Sequence, residues 1–177
     1  MTSGLDVLVQ AFTSGNLILA QGLGLYAFTR YTQDVKKAAK SGGITLAAML
    51  LGGFILWVAD GLAFNTETAE LGLYLLVATC SALIVRMFLP AKFSVRDGLF
   101  DSALVGLILL LGRDGVSGVN VLWASLAAGL GYLITLVVMA TLRERLELAP
   151  IPKALRGVPI ILITAGLLAI AIMGFRF

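Results

Sequence analysis

Six apolar stretches make up most of this 177-residue chain and limit what it can fold into. They are numbered here as spans 1 to 6, over residues 5–29, 42–63, 70–89, 98–112, 120–142 and 158–175. A helix needs about 20 apolar residues to cross the hydrocarbon core of a bilayer. Within lipid each backbone polar group must be bonded inside the protein, so these spans form helices and not open sheets. The sequence predicts a single all-α membrane domain, residues 1–177, with six transmembrane helices.

The composition excludes a soluble protein. Hydrophobic residues make up 59% of the chain and charged residues 13%, whereas about 25% of a soluble domain is charged. The net charge of +3 does not indicate a nucleic-acid partner, because the basic residues lie in short loops between apolar spans.

The charges of these loops predict the orientation of the chain. Eleven of the thirteen basic residues follow spans 1, 3 and 5, namely Arg30, Lys36, Lys37, Lys40, Arg86, Lys92, Arg96, Arg143, Arg145, Lys153 and Arg156. Basic loops remain in the cytoplasm. We therefore expect a multi-pass protein of the bacterial inner membrane with both termini on the outer, periplasmic side.

The chain divides near residue 95 into two halves of three spans, 1–95 and 96–177. Because three is odd, a repeat relating the halves is inverted in the membrane. The first span of each half is defective: span 1 is interrupted at Thr13–Asn16, and span 4 has only about 14 residues, too few for a straight crossing. A matched pair of broken spans indicates a site near the midplane, where the two spans meet. The alternative is a kink at Gly15 and Asn16 and a tilted or re-entrant span 4.

Small residues spaced four apart predict where helices pack closely. Span 5 has three such pairs, Ala124 with Ala128, Ser125 with Gly129 and Ala127 with Gly131, and span 2 has Ala48 with Gly52.

Metal chemistry has few ligands available. The chain has one cysteine, Cys80, and no histidine. Zinc sites and iron–sulfur clusters need several Cys or His ligands, so we expect no metal or cluster held by this chain alone.

Two stretches of the sequence carry a family resemblance. The first runs from Gly15 to Phe28 and includes Leu23-Gly24-Leu25. The second contains, in order, Arg143-Glu144-Arg145-Leu146, Pro152, Arg156-Gly157, Ile163-Thr164-Ala165-Gly166-Leu167 and Met173-Gly174-Phe175. Together they resemble the RnfA/NqrE family, the six-helix membrane subunits of Rnf and Na⁺-translocating NADH:quinone oxidoreductase complexes.

The resemblance implies an inverted repeat, half-helices in spans 1 and 4, and N-termini outside. It also implies one cysteine on each half-helix, which with two from a sister subunit holds a membrane-embedded [2Fe–2S] cluster. This chain departs from that pattern, because Tyr26 takes the first cysteine position and Ala27 that of the proline after it. The second position falls near Asp101-Ser102-Ala103, and Cys80 lies elsewhere, in span 3. The family fold is expected to carry over without the cluster.

Several residues of spans 1 and 4 have two interpretations. Tyr26 is a relay for electrons or protons, or an aromatic filler at the membrane interface. Asp101 is an ion or proton carrier, or a carboxylate solvated at a loop edge. Asn16 and Gln21 line an ion path, or satisfy backbone groups freed by the break. The sequence indicates no catalytic residue.

Three functions remain open at this point. The first is a subunit of an Rnf/Nqr-type ion-translocating electron-transport complex, a scaffold or ion-path element beside a homologous membrane subunit. The second is a transporter of ions or small solutes with the same inverted-repeat fold. The third is a non-catalytic accessory subunit of another large membrane complex.

Overall fold

A computed structural model describes residues 19, 21–59, 67–88, 102–113, 116, 118–150, 152 and 155–174. Within these residues it has six α-helices and no β-strand. The helices are α1 (Leu25–Tyr31), α2 (Val35–Ala59), α3 (Glu67–Phe88), α4 (Ser102–Arg113), α5 (Asn120–Glu147) and α6 (Val158–Met173). Each of the six predicted spans thus contains one described helix.

Two of these helices, α2 and α5, are long and apolar enough to cross a membrane. The apolar parts of α3, α4 and α6 are shorter. The prediction of an all-helical membrane protein agrees with this architecture, and the number of six complete crossings stays a prediction.

Helices α2 and α5 run antiparallel and form the centre of the molecule. Gly42 lies against Leu133, Leu46 against Gly129, and Gly53 against Ser125. A side chain at Gly53 would overlap the Ser125 hydroxyl. These contacts confirm that the small residues of spans 2 and 5 mark close packing, which is a main source of helix association in lipid.

The polar side chains inside this core are bonded within their own helices. The Ser125 hydroxyl donates to the Val121 carbonyl at 2.7 Å, and the Thr135 hydroxyl donates to the Gly131 carbonyl at 2.7 Å. Ser81 of α3 donates to the Ala78 carbonyl at 2.9 Å. Among the described residues, no buried side-chain nitrogen or oxygen lacks a hydrogen-bond partner. Because its hydroxyls are satisfied, the core can be both small-sided and dry.

The remaining helices pack around this pair. Helix α4 lies against α2 and α3, where Ile108 touches the Gly52 position and Tyr74 fills the space left by Gly112. Helix α1 packs on α2, α5 and α6. The Thr164 hydroxyl of α6 lies 3.8 Å from the Met139 sulfur of α5.

The predicted spans and the observed helices differ at one end of the molecule. Helix α2 begins at Val35, seven residues before span 2, and α5 continues to Glu147, five residues after span 5. Lys36, Lys37, Lys40, Arg143 and Arg145 therefore lie on helices, and their placement in loops was wrong. Lys and Arg are good helix formers whose long stems reach water from a helix end, so hydropathy alone places the helix boundary too early.

Candidate functional site

The backbone leaves the helical conformation in the middle of span 1. Gly22 and Gly24 have positive φ angles of 68° and 82°, a left-handed conformation that favours glycine. Helix α1 begins only after them, at Leu25. Span 1 is therefore not one continuous helix, as predicted. The described break lies at Gly22–Gly24, whereas the break predicted at Thr13–Asn16 lies outside the described residues.

This break contacts the start of α4. The Gly24 N–H donates a hydrogen bond to the Ser102 hydroxyl oxygen at 2.9 Å, and Ser102 is the first residue of α4. One helical turn later, Gly106 lies directly under Leu23, so that any larger side chain at position 106 would overlap Leu23. We call the site formed by Leu23, Gly24, Ser102 and Gly106 the junction. The two defective spans meet there, and the predicted midplane depth stays a prediction.

Both helices at the junction are too short to cross a membrane. At 1.5 Å per residue, the seven residues of α1 extend about 10 Å and the twelve of α4 about 18 Å, against a hydrocarbon core of about 30 Å. Helix α1 runs from the junction towards the start of α2, and α4 runs away from it, past Gly52 to Tyr74. Two short helices thus begin side by side and diverge towards opposite ends of the bundle.

The structure brings only some of the predicted site residues to this place. Ser102 lies in the junction, Gln21 is exposed in the turn that precedes it, and Tyr26 is the second residue of α1. Asn16 and Asp101 lie outside the described residues.

The ligands available at the junction do not fit an iron–sulfur cluster, whose irons are held by cysteine thiolates. A hydroxyl at Ser102 and a backbone amide at Gly24 provide no thiolate. Cys80 is exposed on α3. Within the described ranges, no three His, Cys, Asp or Glu side chains are grouped where they could hold a metal ion.

A second polar site joins the ends of three helices. The Arg143 guanidinium of α5 donates to the Thr29 carbonyl and to the Thr32 hydroxyl, both at 3.4 Å. The next residue, Glu144, accepts a hydrogen bond from the Val35 N–H at 3.3 Å. A cation thus lies at the C-terminus of α1 and a carboxylate at the N-terminus of α2, both favourable with the helix dipoles.

Sequence reasoning missed this role, because the Arg143-Glu144-Arg145 run indicated only a topogenic cap and a docking point. The only available signal was two opposite charges at consecutive positions of a helix end, and their partners lie more than 100 residues away in the chain. We call this end of the bundle, where α1 and α5 end and α2 and α6 begin, the basic end. Its described basic residues are Arg30, Lys36, Lys37, Lys40, Arg143, Arg145 and Arg156.

Apolar helices packed through glycines, with one span broken at left-handed glycines, define a helical membrane protein. The chain belongs to the Rnf-Nqr family of membrane subunits, because the model of that family, described as "Rnf-Nqr subunit, membrane protein", matches residues 5–177. This match confirms the resemblance identified from the sequence motifs.

Named relatives match along nearly their whole length. The chain is 34% identical to the RnfA-type subunit of the ion-translocating oxidoreductase complex of Syntrophotalea carbinolica, over 99% of this chain and 97% of that protein. It is 26% identical to the corresponding subunit of the Na⁺-translocating ferredoxin:NAD⁺ oxidoreductase complex of Acetobacterium woodii, over 96% and 94%. It is 29% identical to the corresponding subunit of the ion-translocating oxidoreductase complex of an Azoarcus species, over 99% and 97%.

Proposed function

We propose that this chain is a membrane subunit of an ion-translocating electron-transport complex of the Rnf/Nqr type. Its relatives carry the names of subunits of such complexes, and the match covers nearly the whole chain. The observation that carries the proposal is the junction, where two short helices begin side by side, joined by the Gly24–Ser102 hydrogen bond. A broken pair of spans is the arrangement that membrane transport proteins use to build a site.

Within that complex the chain acts as a scaffold or ion-path element and binds no cofactor by itself. Tyr26, Asp101 and Ser102 stand at or beside the cysteine positions of the family, and none of them supplies a thiolate. Electrons therefore do not pass through a cluster held by this chain alone.

We further propose that residues 1–95 and 96–177 form an inverted repeat, in which α1, α2 and α3 correspond to α4, α5 and α6. The helix contacts support this correspondence. Helix α4 packs on α3, and its counterpart α1 packs on α6; α4 also packs on α2, and α1 on α5. Helices α2 and α5, which would exchange places, form the central antiparallel pair.

The proposed location is the bacterial inner membrane, with the basic end in the cytoplasm and both termini on the periplasmic side. The contacts of Arg143 with Thr29 and of Glu144 with Val35 place the segments after spans 1 and 5 at the same end of the bundle. Basic residues on one side are typical of the cytoplasmic side.

The partner that we propose is a homologous membrane subunit of the same complex, and co-purification tests it. The chain, with an affinity tag, is extracted from its own membranes in mild detergent, and the accompanying membrane subunits are identified by native mass spectrometry. We expect a hetero-oligomer that contains a second protein of the same fold. Ala27→Trp beside Tyr26 should disrupt assembly more than insertion, whereas Ala47→Trp on the exposed side of α2 should leave assembly intact.

The same experiment distinguishes the other functions. A stable monomer that transports an ion or solute after deletion of every neighbouring membrane subunit would support the transporter. Co-purification with an unrelated large complex would support the accessory role.

A further inference from the structure

A cavity of about 260 Å³ opens between the end of α5 and the start of α6, at the basic end. Arg143 and Arg156 line it together with Gly157, the residue before α6. The opposite wall is apolar and is formed by Leu146, Ile160 and Ile161. One cavity thus combines two guanidinium groups with an aliphatic surface.

The charges of this cavity favour an anion. Glu147 also lines it, 3.7 Å from the Arg143 side chain, and offsets part of that positive charge. Arg156 adds a second positive charge beside the N-terminus of the 16-residue α6. The residue before this helix is Gly157, with φ 92°, and it has no side chain to cap the first turn. Backbone N–H groups and the positive end of a helix dipole favour a phosphate at such a place.

The apolar wall selects among anions. Ile160 and Ile161 continue along α6 into an exposed aliphatic face that includes Leu162, Ile163 and Leu167. A ligand that uses both walls has an anionic phosphate at one end and hydrocarbon chains at the other. Basic pockets between helix ends at a membrane surface bind anionic lipid headgroups.

We propose that this cavity binds the phosphate headgroup of an anionic phospholipid, with Arg156 and Arg143 on the phosphate and the acyl chains along the outer face of α6. The lipid thereby connects the end of α5 to the start of α6. The inference rests on the proposed function only in that the chain lies in a membrane, and its test does not depend on co-purifying subunits.

The test compares phosphatidylglycerol with matched ligands. The full chain is depleted of lipid in dodecyl maltoside, and the thermal unfolding midpoint is followed during titration with phosphatidylglycerol, phosphatidylcholine or inorganic phosphate. Native mass spectrometry counts the phosphatidylglycerol molecules retained. We expect phosphatidylglycerol to raise the midpoint and to be retained, and the other two ligands to have little effect.

The variants identify the site. Arg156→Gln should weaken phosphatidylglycerol binding about tenfold, because it removes a charge-assisted hydrogen bond to phosphate. Arg145→Gln is the matched control, since Arg145 is exposed at the same end and does not line the cavity. Equal retention of phosphatidylglycerol by the two variants would overturn the proposal. An equal response to phosphatidylcholine would also overturn it, and an equal response to inorganic phosphate would assign the cavity to a soluble anion.

Discussion

The Gly24 N–H and the Ser102 hydroxyl, 78 residues apart in the chain, are joined by a 2.9 Å hydrogen bond where two short helices begin. Ser102 lies at or beside a position that holds a cysteine in the resembling family, and here its oxygen accepts a bond from the other half of the chain. The contact lies between the two predicted repeats, so it links them at the broken spans.

Removal of this bond should loosen the junction. In Ser102→Ala the Gly24 N–H loses its acceptor, and we expect a loss of about 1 kcal/mol in the free energy of unfolding. Thermal unfolding in mild detergent measures it. Thr141→Val is the control, because the Thr141 hydroxyl is exposed and bonds the Val138 carbonyl of its own helix. Equal destabilisation by the two variants would argue against a special role for the junction.

The contact of α2 with α5 should not tolerate a methyl group. In Gly53→Ala the new Cβ would overlap the Ser125 hydroxyl, and overpacking of this kind costs about 1–3 kcal/mol. Gly43→Ala places the same change on the same helix where nothing lies within 4 Å. It should be neutral or stabilising, because alanine favours a helix more than glycine does. Thermal unfolding of both variants checks this, and a Gly53→Ala protein as stable as Gly43→Ala would contradict the packing described.

The Arg143 side chain should hold α1 in place. We expect amide hydrogen exchange across Leu25–Tyr31 to become several-fold faster in Arg143→Ala, because the bonds to Thr29 and Thr32 are lost. Arg145→Ala removes the same charge from the same helix end, but Arg145 is exposed, and exchange should stay at the wild-type rate. Faster exchange in both variants would assign the effect to net charge and not to these bonds.

The purified chain should carry no iron–sulfur cluster. The warrant is one cysteine, exposed on α3, and no histidine. The measurement is iron content and visible absorption in a sample free of other cysteine-bearing subunits. Iron at the stoichiometry of a [2Fe–2S] cluster would contradict this prediction.

The orientation can be tested by cysteine labelling in intact cells. With Cys80 replaced by serine, single cysteines at Lys36, Arg96 and Arg145 should be protected from a reagent that does not cross the membrane. Cysteines near either terminus should react. Reaction at position 36 from outside would overturn the topology.

The sequence predicted the helices and their contacts well, because hydropathy and small-residue spacing are local patterns. Each of the six spans contains a helix, and Gly129 and Gly53 lie in close packing, as the spacing indicated. The described break, however, lies at Gly22–Gly24, beyond the polar run of span 1. Polar residues can bond within a helix, whereas a left-handed backbone favours glycine, so the glycine pair was the stronger signal.

The bonds between distant residues could not be predicted from the sequence. Ser102 was identified through the family resemblance, but no local pattern indicates that its hydroxyl bonds Gly24. The same holds for Glu144, whose acceptor role depends on a helix that begins 109 residues earlier. These contacts arise from the packing of α2 against α5, which brings the helix ends together.

That packing also has a consequence for biosynthesis. About 90 residues separate Gly42 from the Leu133 that it touches. At about 5–20 residues per second, α2 waits roughly 5–20 s in the membrane before α5 has been made. During this interval the glycine face of α2 contacts lipid or the insertion machinery. The first half of the protein therefore reaches its final packing only after translation of the second half.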